Sequence, residues 1–284
     1  MNKINNLLDD QHEAPSVAIL IIVHQAEPTP YELISLRQCT QVLGRYPIVV
    51  ICPEGMDVTR YRSVSPDLEF DFIAPKWQAN YRSFNRLKIA PLLYKKYRAF
   101  EHILFYELDA FVFEDALPKW CATEYSYIGA PWYHDFDEAN KTSSFIGVGN
   151  GGLSLRKTSS ALKALSSFKY ITPPRIVYRR WRWQWRDPGA WMKAFLQMTF
   201  QNNTHWWCNN YVENEDYFWG RIVENRFSWF TIPIEEVALK FSIETMPRLQ
   251  LKRMGGTLPF GCHGWWKYDL DFWKPFIESY GHKL

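Results

Sequence analysis

From Ser16 to about Trp120, short apolar runs alternate with stretches of helical periodicity. Val17-Ala-Ile-Leu-Ile-Ile-Val23 is β-branched and continuous, the pattern of a strand covered on both faces rather than of an amphipathic helix. Thr29-Pro30 then supplies an N-cap and an N1 proline, Leu33, Leu36, Arg37 and Thr40 follow at helical spacing, and Gly44 sits where a helix would end. Ile48 to Cys52 predicts a second buried strand and Leu68 to Ile73 a third. Leu87 to Phe100 reads as a helix leading into the strand His102-Ile-Leu-Phe-Tyr106. This β-α-β alternation implies an α/β fold: a doubly wound, mostly parallel central sheet flanked by helices, with ligands bound beyond the carboxyl ends of the strands.

Beyond Trp120 the alternation gives way to aromatic, polar and glycine-containing stretches. Helices are predicted at Lys157 to Ser167, Pro188 to Phe200 and Glu215 to Arg226. Residues 1–15 are polar and acidic without an apolar period and read as a flexible tail, leaving residues 16–284 as a single domain.

Composition narrows the classes of function. With 33 Lys and Arg against 30 Asp and Glu, the net charge of +3 is too small for counterion-release binding, so no nucleic-acid partner is expected. The aromatic content of 17%, with 14 Trp, exceeds what a core requires and suggests a binding surface. The run Val17 to Val23 falls far short of the ~20 residues needed to cross a bilayer, and Asp9 and Asp10 precede it where a signal peptide carries positive charge. The chain is therefore expected to be cytoplasmic. Five scattered cysteines argue for free thiols rather than a disulfide framework or structural zinc.

Four constellations can carry chemistry. In Ile103-Leu-Phe-Tyr-Glu107-Leu-Asp109-Ala-Phe-Val-Phe113, two carboxylates interrupt a strand-like apolar run, and alternation puts both on one face. Paired buried anions need compensation, so a divalent metal competes with an acidic strand end facing solvent. Val148-Gly-Asn150-Gly151-Gly152-Leu-Ser-Leu-Arg156 is a glycine-rich turn entering a strand, either a ligand-approaching backbone or a tight hairpin. In Asn214-Glu215-Asp216-Tyr-Phe218-Trp219, Asn214 is an N-cap before an i, i+4 apolar stripe; the carboxylates suit the helix dipole or provide a positioned general base. In Gly261-Cys-His263-Gly264-Trp265-Trp266, the histidine is either a metal ligand or hydrogen-bonded in a packed turn.

Taken in order, these motifs resemble those of metal-dependent, nucleotide-sugar glycosyltransferases of the GT-A (Rossmann-like) fold. Leu108-Asp109-Ala-Phe-Val-Phe113, Tyr127-Ile-Gly-Ala-Pro-Trp132, Gly149-Asn-Gly-Gly-Leu-Ser-Leu-Arg156, Asn214-Glu-Asp-Tyr-Phe-Trp219 and Cys262-His-Gly-Trp265 are similar to the glycosyltransferase-like family DUF5672, over about Ser16 to Trp266. The resemblance implies a nucleotide-binding half at 16–120 and an acceptor-binding half at 121–284. It places Glu107-Leu-Asp109 at the DxD motif, glutamate replacing the usual first aspartate, with Asp109 the firmer metal ligand, Glu107 contacting ribose or metal, and His263 completing the site. It also places Lys88 near the nucleotide, His24 at the base and ribose, Asn150-Gly151-Gly152 along the donor sugar, and Asp216, beside Glu215, as general base of an inverting reaction.

The implied cofactor is a divalent metal, Mn²⁺ or Mg²⁺, the donor a nucleotide-sugar, and the acceptor a saccharide or lipid-linked glycan of the kind used in polysaccharide biosynthesis. Arg175 to Arg186 alternates arginines with Trp181, Trp183 and Trp185, which share a face if the backbone is extended. That strip is a packed edge, an acceptor platform or a peripheral membrane contact at the inner face of the membrane. The rival functions are a nucleotidyltransferase, although His24-Gln-Ala-Glu-Pro lacks its glycine-rich loop, and a non-catalytic carbohydrate- or membrane-binding module.

Overall fold

The computed structural model describes residues 16–181, 187–211 and 213–284; the predicted tail and residues 182–186 of the basic strip lie outside them. Its main sheet combines β1 (Val17–Ile22), β2 (Ile48–Pro53), β3 (Glu69–Ile73), β4 (His102–Tyr106), β6 (Tyr127–Ile128) and β9 (Leu153–Lys157). The strand order is β3-β2-β1-β4-β9-β6, with β9 antiparallel to both its neighbours and the other pairings parallel. The sheet is thus the expected mostly parallel one, and β6 and β9, from beyond residue 120, complete it.

The continuous apolar run of β1 has a direct cause. Val17, Ile19 and Ile21 enter one core cluster with Leu36, Cys39 and Leu43 of the helix Pro30–Leu43, while Ala18, Leu20 and Ile22 enter another with Leu87, Ile89 and Leu93. A strand covered on both faces has no polar face to show. The helix starts as the sequence predicts: Thr29 accepts from Glu32 N and Glu32 caps Thr29 N in return. The connections from β1 and β4 diverge to opposite sides, so a crevice opens at their carboxyl ends.

Three expectations change. The helix expected over Leu87 to Phe100 is two helices, Tyr81–Lys88 and Pro91–Lys96, because Pro91 cannot donate into a continuous helix. The first begins earlier than predicted, with Asn80 as its N-cap. Second, the strand-like run through Phe113 ends at Tyr106; Glu107 to Ala110 form a turn, and β5 (Phe111–Val112) joins a different sheet. Strand alternation therefore does not align Glu107 with Asp109. Third, the described part of the basic strip, up to Trp181, is helical and not extended.

The predicted helices at Pro188 and Glu215 both widen to π-geometry, over Gln197–Gln201 and Phe218–Val223. β7 (Pro131–Tyr133) and β8 (Phe145–Val148) form a hairpin, and β10 (Ser242–Ile243), β11 (Gly261–Cys262) and β5 form a small second sheet. Much of the aromatic excess is core: Trp219, Trp265 and Trp273 are fully buried, so neither Trp219 nor Trp265 offers a face to a sugar. Cys39, Cys52 and Cys262 are buried free thiols, and Cys121 a partly buried one.

Candidate active site

The small sheet assembles the first cluster. β10 and β11 run parallel with Ile243 opposite Cys262, so the next residues, Glu244 and His263, leave the sheet side by side. β5 runs antiparallel to β11 with Phe111 opposite Cys262, which brings the preceding turn and Asp109 to the other side of the imidazole. His263 Nε2 lies 2.9 Å from Asp109 Oδ1 and 3.9 Å from Glu107 Oε2, while Nδ1 lies 2.8 Å from Glu244 Oε1. Ligand atoms of Glu107, Asp109 and His263 all fall within 4.8 Å of one another, enough to hold one cation.

The donor chemistry fits a divalent ion. Two carboxylates and one imidazole are a donor set for a divalent cation. Asp109 Oδ1 and His263 Nε2 are buried and approach each other, yet neither completes a well-directed hydrogen bond. Buried polar atoms left this way call for a partner, and a cation between them is one. Burial acts to lower the His263 pKa, but the Asp109 and Glu244 carboxylates outweigh it and raise it well above the ordinary range. Burial likewise acts to raise Asp109, and His263 overrides it downward.

Beneath this cluster runs a buried chain of charge. Lys88, at the end of the helix Tyr81–Lys88, places Nζ 2.6 Å from Glu107 Oε1 and 2.9 Å from Glu215 Oε1, and donates to the Gly151 carbonyl at 2.9 Å. Arg156 of β9 reaches Glu215 Oε2 at 2.8 Å and stacks over Phe105, 4.1 Å from the ring centre. For Glu215, burial favours the neutral form, but Arg156 and Lys88 outweigh it and lower the pKa. The same pairing raises Lys88 and Arg156 against their own burial.

Asp216 faces the opposite balance. Its Oδ2 accepts from Gly151 N at 3.2 Å and its Oδ1 from Tyr217 N at 2.8 Å. Burial, then the neighbouring Glu215 charge, push its pKa up to about 6. Glu215 and Asp216 are thus adjacent carboxylates in different electrostatic states, one locked ionised and one poised to exchange a proton near neutrality.

Two cavities meet at the cluster. The larger, about 630 Å³, is bounded by Glu107, Asn150, Gly151, Gly152, Asp216, Glu244 and His263, with aromatic walls from Tyr81, Trp132, Tyr217 and Tyr268. The other, about 490 Å³, opens at the end of β1 between His24, Gln25, Tyr61, Asp109 and Trp266. Tyr81, Phe84 and Glu107 line both, so the metal-type cluster lies at their junction.

Residues 67–263, more than half of the chain, match a single family, described as a protein of unknown function (DUF5672). The chain belongs to the DUF5672 family. Among curated proteins, none matches it. Of solved structures, the galactosyltransferase LgtC bound to donor and acceptor sugar analogues is similar at 11% identity over 87% of this chain and 86% of that one, with a TM-score of 0.43. Mouse xyloside xylosyltransferase 1 is similar at 9% identity over 87% and 97%, with a TM-score of 0.45. A glycosyltransferase involved in glycosylating the major capsid of PBCV-1 gives 10%, 93% and 100%, and 0.43. Similarity this distant assigns no activity to the DUF5672 chain.

Within this DUF5672 chain the predicted site residues converge from both halves. Asp109, Glu107 and His263 come together, and Asn150-Gly151-Gly152 and Asp216 line the larger cavity beside them, while His24 stands exposed at the mouth of the smaller one. Gly152 must lack a side chain, because a Cβ there would meet His263 Nε2 at 1.9 Å. Three residues are placed differently from expectation. Lys88 is buried behind Glu107, where Glu107, Glu215 and the Gly151 carbonyl use its charge, and Glu215 is the buried counter-ion of Lys88 and Arg156. Asn214 sits at the N-cap position, but its side chain accepts from Tyr81 OH instead of capping.

Sequence reasoning did not find Glu244, Tyr81 or the role of Arg156. Glu244 follows a two-residue strand without any motif, and only the β10–β11 register puts it against His263.

Proposed function

We propose that this protein is a metal-dependent glycosyltransferase, moving a sugar from a nucleotide-sugar donor to a saccharide or lipid-linked saccharide acceptor. The observation that carries this reading is the position of Glu107, Asp109 and His263 at the junction of two cavities, with Asp216 on the wall of the larger. A donor has two parts to bind, and the site has two chambers with a cation-type cluster between them. The nucleotide lies in the smaller chamber, between His24, Tyr61 and Trp266, and the sugar and acceptor in the larger, against Asn150-Gly151-Gly152 and the rings of Trp132 and Tyr217. Of the two, Tyr217 is exposed and Trp132 is buried behind it, so Tyr217 is the ring that meets the sugar.

Asp109 and His263 would hold a divalent ion, Mn²⁺ or Mg²⁺, with Glu107 as a further ligand or a contact to the ribose. When bound, that ion neutralises charge developing on the departing diphosphate. Lys88, behind Glu107, fixes it through Oε1 and leaves Oε2 facing the cluster. Asp216 accepts the proton of the acceptor hydroxyl as that oxygen attacks the anomeric carbon, opposite the leaving group in an inverting displacement. Gly151 N holds the carboxylate in place for this.

A thermal-shift screen of UDP-, GDP-, CMP- and dTDP-sugars with and without Mn²⁺ tests the reading, since a ligand of the native state raises its melting temperature. One donor class is expected to stabilise the protein only with metal, with slow release of its nucleotide, and Asp109→Asn to abolish both. Pyrophosphate release from a nucleoside triphosphate would point to a nucleotidyltransferase. No response to any of these compounds would leave only a binding module.

A further inference from the structure

Half of the large apolar side chains exposed among the described residues fall between Phe168 and Phe200. No described residue of that stretch enters any of the three core clusters. The stretch is an excursion pinned at its neck. Ile171 N donates to the Asn202 carbonyl at 3.1 Å, Thr172 N to Asn202 Oδ1 at 2.8 Å, and Asn202 Nδ2 to the Thr172 carbonyl at 2.6 Å, beside a Tyr170–Asn203 bridge.

The helix Pro188–Leu196 in this excursion is oriented against the usual rule for a soluble domain. It turns Ala194 inward, 4% exposed, and outward Trp191, Met192, Phe195 and Leu196, 41%, 50%, 44% and 46% exposed. Positions 191, 192, 195 and 196 share one helical face, and Trp191 stacks on Phe195 at 5.6 Å and 12°. Phe200, just beyond, is 64% exposed. A contiguous outward apolar face of this kind marks a docking surface.

Charge selects the partner. Arg175 and Arg179, one turn apart on the helix Pro174–Trp181, are exposed, as is Lys193 beside the apolar face. Asp187 is the only acidic residue from Phe168 to Phe200, and its carboxylate is spent on capping Gly189 N and Ala190 N. Two copies of so basic an excursion would repel each other, whereas lipid phosphates complement it. Tryptophan at headgroup level, aliphatic side chains below it and guanidinium groups on phosphate form the pattern of an interfacial helix. Among the described residues no helix is long and apolar enough to cross a bilayer, so the contact is with the surface.

We infer that the face Trp191, Met192, Phe195 and Leu196, with Arg175, Arg179 and Lys193, docks this protein onto an anionic phospholipid bilayer. The docking does not depend on the transfer reaction: vesicle binding without any sugar-nucleotide turnover would leave it standing while the transferase reading fell.

The test is flotation of the full chain with phosphatidylcholine vesicles, with and without phosphatidylglycerol, at low and high salt. Wild type is expected to float with the anionic vesicles, less so at high salt. The triple variant Trp191→Ser, Phe195→Ser, Leu196→Ser is expected to stay unbound while keeping the wild-type melting temperature, since these side chains enter no core cluster. Arg175→Glu with Arg179→Glu is expected to lower partitioning by about tenfold or more, and carries the test if the triple variant misfolds. Absence of wild-type binding to anionic vesicles overturns the inference, as does binding unchanged in both variants. A dimer that the triple variant splits, in the absence of lipid binding, makes the face a contact between copies and overturns it equally.

Discussion

Glu244 Oε1 lies 2.8 Å from His263 Nδ1, on the side of the ring opposite Asp109. A carboxylate behind a metal-ligating histidine fixes its orientation and tautomer, and such partners are worth about 10- to 100-fold in metal affinity. Glu244→Gln is therefore expected to weaken Mn²⁺ binding by about that factor while leaving the fold intact, as read by calorimetric titration.

Asp216 supplies a pH signature. Its carboxyl, pushed up to about 6, must be ionised to accept a proton, so transfer is expected to rise with pH through that value. Asp216→Asn should lower turnover by roughly 10²- to 10⁴-fold and remove that limb of the profile, with donor binding retained.

The same shift makes a stability prediction. A native pKa above the ordinary carboxylate value means that the folded state binds this proton more tightly than the unfolded one. That contribution is present in acid and is lost as pH rises through about 6. Asp216→Asn, which stays neutral, is accordingly expected to raise the melting temperature relative to wild type above neutrality and to have less effect near pH 4, as read by calorimetry across pH.

Gly152 offers a test of the metal cluster that removes no ligand. A Cβ there would overlap His263 Nε2 and displace the ring from between Asp109 and Glu244. Gly152→Ala should abolish Mn²⁺ binding, read by the loss of the metal-induced rise in melting temperature, and should also lower the melting temperature of the metal-free protein.

The buried ion cluster makes the opposite kind of prediction. Removing Glu215 leaves Lys88 and Arg156 buried without their shared counter-ion, and breaking such pairs costs about 3–5 kcal/mol. Glu215→Ala should reduce stability by that order in urea unfolding.

The parts of the site visible in the sequence were those written in local chemistry. The capped start of the helix Pro30–Leu43, the buried run of β1, the glycine-rich turn before β9 and the acidic pair at 107 and 109 each announce themselves within a few residues. The reason first read for Glu107 and Asp109 sharing a side was nevertheless wrong. They meet in a turn after β4, held by Lys88 on one flank and His263 on the other. The aromatic excess read as a binding surface, yet Trp219 and Trp265 are core, because residue type alone does not say which way a ring points.

What the sequence determined by itself was the order and kind of the strands and helices of the first half, and which residue types were available for chemistry. Those follow from periodicity and capping, which act over one or two turns of chain. What only the tertiary structure decided was which of these residues touch: Glu244 against His263 through the register of β10 and β11, and Lys88 shared between Glu107 and Glu215. Equally undecided until the chain folded was the outward turn of Trp191 and Phe195 on a helix whose composition would suit a core. Such pairings join positions far apart in the chain. Their free energy comes from burial and charge compensation that exist only once the chain has closed around them.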